Sequence, residues 1–85
     1  MTLVFPNPSR SFDEVRNAVR FIGHDGMFQV PFFVEAGALA KSGKPSEAEC
    51  LRAFDAMRNS IHTVARKAYS GARPTGYVLT VADFR

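Results

Sequence analysis

The chain has 85 residues, of which 46% are hydrophobic and 12% aromatic, and its formal net charge is +3. This length accommodates one domain around one core, and the composition excludes a disordered tail. The single cysteine excludes an intramolecular disulfide and a multi-cysteine metal site, and no apolar run approaches the roughly 20 residues that span a bilayer. We therefore expect one domain over residues 1–85, located in the cytoplasm and not in a membrane.

The N-terminal residues predict a strand followed by irregular structure. Residues 2–5 (Thr-Leu-Val-Phe) are typical of a short strand, which ends at Pro6. Residues 7–11 combine proline with small polar residues and favour a turn. Residues 12–17 suit either a helical turn or a wide connection, and we interpret them as a connection that leads into the next strand.

The strongest β signal runs over residues 18–34 and is interrupted near Asp25-Gly26, a pair that favours hairpin turns. If Asp25-Gly26 forms a two-residue loop, His24 lies opposite Met27. One face of the hairpin is then apolar and the other mixed, as expected for a sheet covered on one side. A four-residue loop over residues 23–26 would preserve these faces, whereas a three-residue loop would mix them.

Pro31 and the residues after the hairpin limit regular structure. Since proline donates no ladder hydrogen bond, we expect the second strand to break, bulge or lie on an edge near Pro31. Residues 35–41 predict a short helix, which residues 42–45 (Ser-Gly-Lys-Pro) end.

A long amphipathic helix is predicted from Ser46 to Tyr69. Ser46 and Glu49 have the spacing of a capping box, in which each side chain bonds the other residue's backbone N–H. Gly71 is the expected C-cap residue. At 100° per residue the apolar side chains fall on one arc of the helix: Cys50, Leu51, Phe54, Met57, Ile61, Val64, Ala65 and Ala68.

A last strand is predicted over residues 77–82, which are rich in β-branched and aromatic side chains. Together these elements predict a two-layer α+β domain. Its sheet is mainly antiparallel with three or four strands, and the Ser46–Tyr69 helix packs across one face.

The isolated reactive residues predict no catalytic, cofactor-binding or metal site. His24 has no second histidine or cysteine near it in sequence, so a zinc site lacks its ligands. Cys50 falls on the apolar arc, and His62 is twelve positions further along the same helix, about 18 Å away. A continuous helix therefore excludes a Cys50–His62 pair, and we assign Cys50 to the core.

One flank of the helix is a candidate surface site, which we call the His62 flank: Asp55, Arg58, Asn59, His62 and Arg66. Their spacings bring a carboxylate, an amide, an imidazole and two guanidinium groups within about three turns. Such a cluster could bind a small anion or an acidic group of a partner. The alternative is a solvated flank with ordinary i,i+4 pairs, and an enzymatic role would require a concave pocket there.

A candidate basic edge follows from the distribution of charge. No carboxylate occurs between Asp55 and Asp83, whereas four cations do: Arg58, Arg66, Lys67 and Arg73. This edge predicts nucleic-acid or anion binding as an alternative function, although the acidic residues at the helix start would repel phosphate.

The chain resembles domain-of-unknown-function family 1488, a family of small bacterial proteins. The resemblance covers nearly the whole chain and rests on these segments: Phe5-Pro6, Phe12-Asp13, residues 18–21 (Ala-Val-Arg-Phe), the helix residues Phe54-Asp55-Ala56, Ile61 and Ala65-Arg66, then Tyr77-Val78-Leu79 and Asp83-Phe84. It implies a single independent domain. It brings no activity, so no catalytic residue follows from it.

With no catalytic constellation and an aromatic-rich hairpin, the sequence favours a non-enzymatic accessory or protein-interaction domain over an enzyme. Its expected partner is another protein or a second copy of the chain in a dimer, and no cofactor is expected.

Overall fold

The structure is a computed structural model that describes residues 3–6, 9–39, 45–70 and 76–84. Four strands form one mixed sheet in the order β1-β2-β3-β4: β1 (Ser11–Asp13), β2 (Ala18–Asp25), β3 (Phe28–Glu35) and β4 (Tyr77–Leu79). The helices are α1 (Ala36–Leu39), α2 (Glu47–Ala56), α3 (Arg58–Ala68) and a final 3₁₀ turn (Val81–Phe84). The predicted two-layer α+β fold is confirmed, and β3–β4 is a parallel pair beside two antiparallel ones.

The hairpin of β2 and β3 has the predicted faces but a different register. Its loop is Gly26-Met27, and His24 pairs with Gln29, so the prediction that Asp25-Gly26 forms the loop is wrong. Within this loop, φ is positive only at Gly26, at +60°, as in a type II′ turn. Because such a turn needs positive φ only at its first loop position, one glycine satisfies it and Asp25 keeps an extended backbone. The register shift is two residues, so every side chain stays on its predicted face.

Strand β3 runs unbroken through Pro31, which pairs with Ile22 on β2. On the other side of β3, the pairing with β4 starts at Phe32, one residue later. The missing N–H of Pro31 therefore falls just outside the β4 ladder. The strand neither breaks nor bulges and lies between β2 and β4, so the prediction for Pro31 is wrong, although no residue of β4 pairs with Pro31 itself.

Strand structure near the start of the chain differs from the prediction in two places, residues 3–5 and residues 11–13. Of residues 3–5, Val4 alone is paired, in an antiparallel bridge to His24 with N–H···O distances of 2.9 and 2.8 Å. Residues 12–17 are not the expected wide connection, because Ser11–Asp13 forms β1 against β2. A tight turn follows, in which the Asp13 carboxylate accepts the Arg16 N–H at 3.1 Å and Asn17 takes a φ of +51°.

The predicted long helix is two helices separated by one residue. The capping box is confirmed, since Ser46 Oγ accepts the Glu49 N–H and the Glu49 carboxylate accepts the Ser46 N–H. At Met57, φ is −106° and ψ is +12°, and its N–H bonds both Ala53 and Phe54 carbonyls. This local 3₁₀-like tightening ends α2 and starts α3, so the expectation of one continuous helix is corrected.

Two other predicted elements have different bounds: α1 begins one residue later than predicted, and the last strand is shorter. Helix α1 occupies Ala36–Leu39, and residues 40–44, together with the expected C-cap Gly71, lie outside the described residues. The last strand ends at Leu79 and not at residue 82. It ends there because the Asp83 carboxylate accepts the Thr80 N–H at 2.8 Å, while the Thr80 carbonyl accepts the Asp83 N–H at 3.0 Å, which turns the chain.

The core lies between one face of the sheet and the helices. Its centre is a set of aromatic and aliphatic side chains that are fully buried: Val19, Val30, Phe32, Val34 and Leu79 from the strands, and Cys50, Phe54 and Ile61 from the helices. The predicted apolar arc is confirmed, because Cys50, Phe54, Ile61 and Ala65 are buried and its other members pack against the core. Burial of this apolar surface is the main force that holds the two layers together.

The opposite face of the sheet, which we call the open face, does not contribute to this core. Side chains that pair across neighbouring strands share a face, which places the following residues on it: Val4, Arg20, Ile22, His24, Gln29, Pro31, Phe33 and Val78. Val78 is 50% exposed and Val4 42%. The Phe33 ring is buried, in part because the Arg16 guanidinium lies 4.4 Å from its centroid.

Gly76 offers a direct test of the contact between β4 and Pro31. Its φ is +76°, and a Cβ placed there would lie 2.4 Å from the Pro31 carbonyl oxygen. We expect Gly76→Ala to lower the free energy of unfolding by about 2 kcal/mol or more, through backbone strain and overlap. Gly37→Ala is the matched control, because a Cβ there meets nothing within 4 Å. Chemical denaturation measures both, and equal stabilities of the two variants would contradict the packing described.

Candidate functional site

Asp55 is the centre of an ion-pair cluster at the end of α2. Its carboxylate accepts two hydrogen bonds from Arg10, at 3.0 Å from Nε and 2.9 Å from Nη2, and one from Arg58 at 2.7 Å. These contacts, with that from Arg10 the largest, hold the pKa of the Asp55 carboxyl below its usual value. Arg10 comes from the residues before β1, so the N-terminal part of the chain closes over this end of the His62 flank.

His62 is engaged by an aromatic ring. The imidazole stacks on Phe5, with centroids 4.0 Å apart and planes 9° from parallel, and it lies 5.8 Å from the Phe21 ring. Partial burial, followed by the charges of Arg58 and Arg66, lowers the pKa of the His62 imidazole. The neutral imidazole is therefore the form that this environment favours.

Arg66 fixes the same N-terminal segment from the other side of His62. Its Nε donates to the Leu3 carbonyl at 3.3 Å, and its guanidinium carbon lies 5.2 Å from the Phe5 centroid. A groove in the sheet receives this segment, because a Cβ at Gly23 would lie 2.9 Å from Phe5 and 3.0 Å from Leu3. The flank and the groove together hold residues 3–5 against the protein.

The remaining members of the predicted sites have other surroundings. Asn59 is exposed, and its carbonyl accepts the Thr63 hydroxyl at 3.0 Å. Of the basic edge, Lys67 is exposed on the last turn of α3, whereas Arg73 lies outside the described residues.

The side chains of Cys50 and His24 lie apart from the His62 flank. Cys50 is fully buried in the core, and burial raises the pKa of its thiol. His24 is half-buried on the open face, where its backbone bonds Val4. Over the part of the chain that the structure describes, no group of three or more His, Cys, Asp or Glu side chains could hold a metal ion. None of the described helices is both long and apolar enough to cross a membrane.

Sequence reasoning missed the contacts that close over the flank. Arg10 and Asp55 are 45 positions apart, and no local pattern reports such a pair. A second missed contact joins the hairpin to the end of α3: the Tyr69 hydroxyl donates to the Asp25 carboxylate at 2.5 Å, which raises the pKa of Tyr69 to about 12.

Chemically, the His62 flank acts as a docking surface for the chain's own N-terminal residues. The carboxylate of Asp55 is neutralised by two guanidinium groups, and both Arg58 and Arg66 also lie over aromatic rings. This arrangement stabilises the fold, because it holds residues 3–5 and Arg10 against the helices.

Comparison with known proteins identifies the relatives of this chain. The family model described as "Protein of unknown function (DUF1488)" matches residues 3–80. A crystal structure of a DUF1488-family protein of unknown function from Shewanella loihica PV-4 has a TM-score of 0.73 at 18% identity, and the alignment covers 95% of this chain and 94% of that one. No curated protein matches. The similarity in structure supports the same fold.

The environment of His62 predicts that stability depends on pH. Because the folded pKa lies below the ordinary value of 6.5, its contribution is complete above about pH 6.5 and is lost as the pH falls through 6.5 towards the folded pKa. Between about pH 7.5 and about pH 5.5, we expect the wild type to lose more unfolding free energy than His62→Gln. Denaturant melts at each pH measure this difference. His24→Gln is the control and should retain the contribution of His62 to the pH dependence of stability. Identical pH profiles of wild type and His62→Gln would contradict the prediction.

Proposed function

This chain belongs to the DUF1488 family, and we propose that it is a small non-enzymatic accessory domain that binds another protein through the open face of its sheet. The observation that carries this proposal is the one-sided packing of the sheet. The core cluster takes its strand residues from the other face. The open face is left with an apolar strip whose ends, Val4 and Val78, are 42% and 50% exposed.

The composition of this strip supports a role in protein binding. Ile22, Pro31 and Val78 provide apolar contact area, and the exposed side chains of Arg20 and Gln29 give it a polar border. An apolar centre with a polar border is typical of protein interfaces, and arginine is enriched there. A second copy of the chain is the first partner to consider, since two open faces would cover each other in a dimer.

Two further observations support the remaining parts of the proposal. The charged groups of the His62 flank contact the chain's own N-terminal residues, which supports a non-enzymatic role. The only cysteine, Cys50, is a free buried thiol, which is consistent with a cytoplasmic location.

Nucleic-acid or anion binding by the basic edge is the second candidate. It is supported by the last turn of α3, where Arg66 and Lys67 lie next to each other and are exposed. The contacts of Arg58 and Arg66 with Asp55 and Leu3 reduce the number of cations that phosphate could recruit.

Val78 and Val81 form a matched pair for testing the open face. They are 50% and 43% exposed, but Val78 lies on the open face and Val81 lies in the final 3₁₀ turn. We expect Val78→Lys to abolish self-association, or capture of a partner, because it buries an ammonium group in the interface. Val81→Lys should leave both unchanged. Light scattering coupled to size exclusion, and pulldown with each variant, measure this outcome. A monomer that captures no partner would overturn the proposal.

The nucleic-acid candidate makes a separate prediction. If the basic edge binds phosphate, the affinity for mixed oligonucleotides should fall steeply with salt, and Lys67→Gln should weaken it. Fluorescence anisotropy at low and moderate salt measures both effects. Absence of binding at low salt would remove this candidate.

A further inference from the structure

Along the outer edge of β2, the residues that the structure describes leave a gap in the pairing. At one end, β1 pairs with β2 over Ala18–Arg20. At the other end, Val4 pairs with His24. Ile22 lies between these two contacts. Among the described residues, none pairs with Ile22 across this edge.

The backbone of Ile22 points into this gap, and two independent observations require it. His24 gives both its N–H and its carbonyl to Val4, and alternate residues of an antiparallel strand direct their peptide groups to the same edge. Ile22 also lies opposite Pro31. Because Pro31 has no N–H, these two residues cannot exchange the pair of hydrogen bonds that would direct the N–H and carbonyl of Ile22 towards β3. The N–H and carbonyl of Ile22 therefore face outwards, away from β3.

A cavity occupies the gap. Its volume is about 110 Å³, well above the roughly 10–15 Å³ that one water molecule requires. Six residues line it: Ser9, Arg10, Ser11, Arg20, Phe21 and Ile22. Two of these are arginines, two are serines and none is acidic. The lining of the cavity is thus electropositive.

The two arginines have different roles at the cavity. Arg10 directs Nε and Nη2 to the Asp55 carboxylate, and this contact neutralises much of its charge. Arg20 is exposed on the open face, and no described carboxylate lies within salt-bridge distance of it. Arg20 is therefore the cation that can pair with an anion entering the cavity.

We propose that this cavity binds the anion of a small monocarboxylic acid. One carboxylate oxygen accepts the Ile22 N–H, and the other pairs with the Arg20 guanidinium, with the Ser11 hydroxyl as a further donor. A flat monoanion suits the edge of a strand, where the Ile22 carbonyl is close by and would repel the higher charge of a phosphate. The short alkyl group of the acid packs against the Ile22 side chain. Backbone N–H groups and arginine are common donors to carboxylates.

Acetate is the probe for this site, titrated into the isotopically labelled 85-residue chain at constant ionic strength. We expect the Ile22 amide resonance to shift in a saturable way with acetate and not with chloride. Arg20→Gln should weaken acetate binding about tenfold or more, because it removes a charge-assisted hydrogen bond. Arg20→Lys should give an intermediate affinity, since lysine keeps the positive charge but lacks the paired N–H donors of the guanidinium group. Arg52→Gln, an exposed arginine on α2, should leave the affinity unchanged.

Three outcomes would overturn the proposal. The first is an Ile22 shift that does not saturate or that chloride reproduces. The second is an equal affinity of wild type and Arg20→Gln, with circular dichroism melts showing both variants folded. The third is tighter binding of inorganic phosphate than of acetate, since that result would assign the cavity to a different class of anion.

Discussion

Pro31 has no amide hydrogen, and its position opposite Ile22 decides which residues of the β2–β3 hairpin exchange hydrogen bonds. The bonded pairs must fall on either side of Ile22 and Pro31. As a result, the peptide groups of Ile22 face the outer edge of β2, where β1 and Val4 pair. On the outer edge of β3, the Pro31 carbonyl approaches Gly76 so closely that no side chain fits, and β4 begins one residue later.

The N-terminal residues complete the structure that this hairpin starts. They add Val4 to the edge of β2 and place Phe5 between the sheet and α3, where it contacts Phe21, Phe32 and His62. Arg10 then bonds Asp55 at the other end of the flank. The polar residues of the helices thus secure a segment that is distant in sequence. The clustering of these polar residues is explained by the contacts that they make with this segment. The candidate functional surfaces are therefore the open face and the outer edge of β2.

Some features could be predicted because they depend on neighbouring residues. The capping box of Ser46 and Glu49 and the apolar arc of the helices follow from spacings of three and four positions. The faces of the hairpin follow from alternation along each strand. Its register does not, since Asp25-Gly26 and Gly26-Met27 are both workable loops with the same faces. The break at Met57 has no sequence marker, because neither proline nor glycine is present there.

The His62 flank shows more clearly that neighbouring residues alone do not predict distant contacts. The sequence places Asp55, Arg58, His62 and Arg66 on one flank by helical geometry alone, and they do lie together. What covers them comes from residues 3–5 and from Arg10, with cited contacts 45 and 63 positions apart in sequence, and no periodicity reports contacts over that distance.

By itself, the sequence determined the two-layer α+β architecture, the capped start of the helix and the assignment of Cys50 to the core, because local hydrogen bonds and apolar periodicity specify them. Tertiary structure alone decided that the helix begun at Ser46 is broken at Met57, that β4 is parallel to β3, and that the His62 flank holds residues 3–5. These features depend on which distant surfaces meet when the apolar face of the sheet is buried. That outcome is set by packing over the whole molecule and not by any one segment.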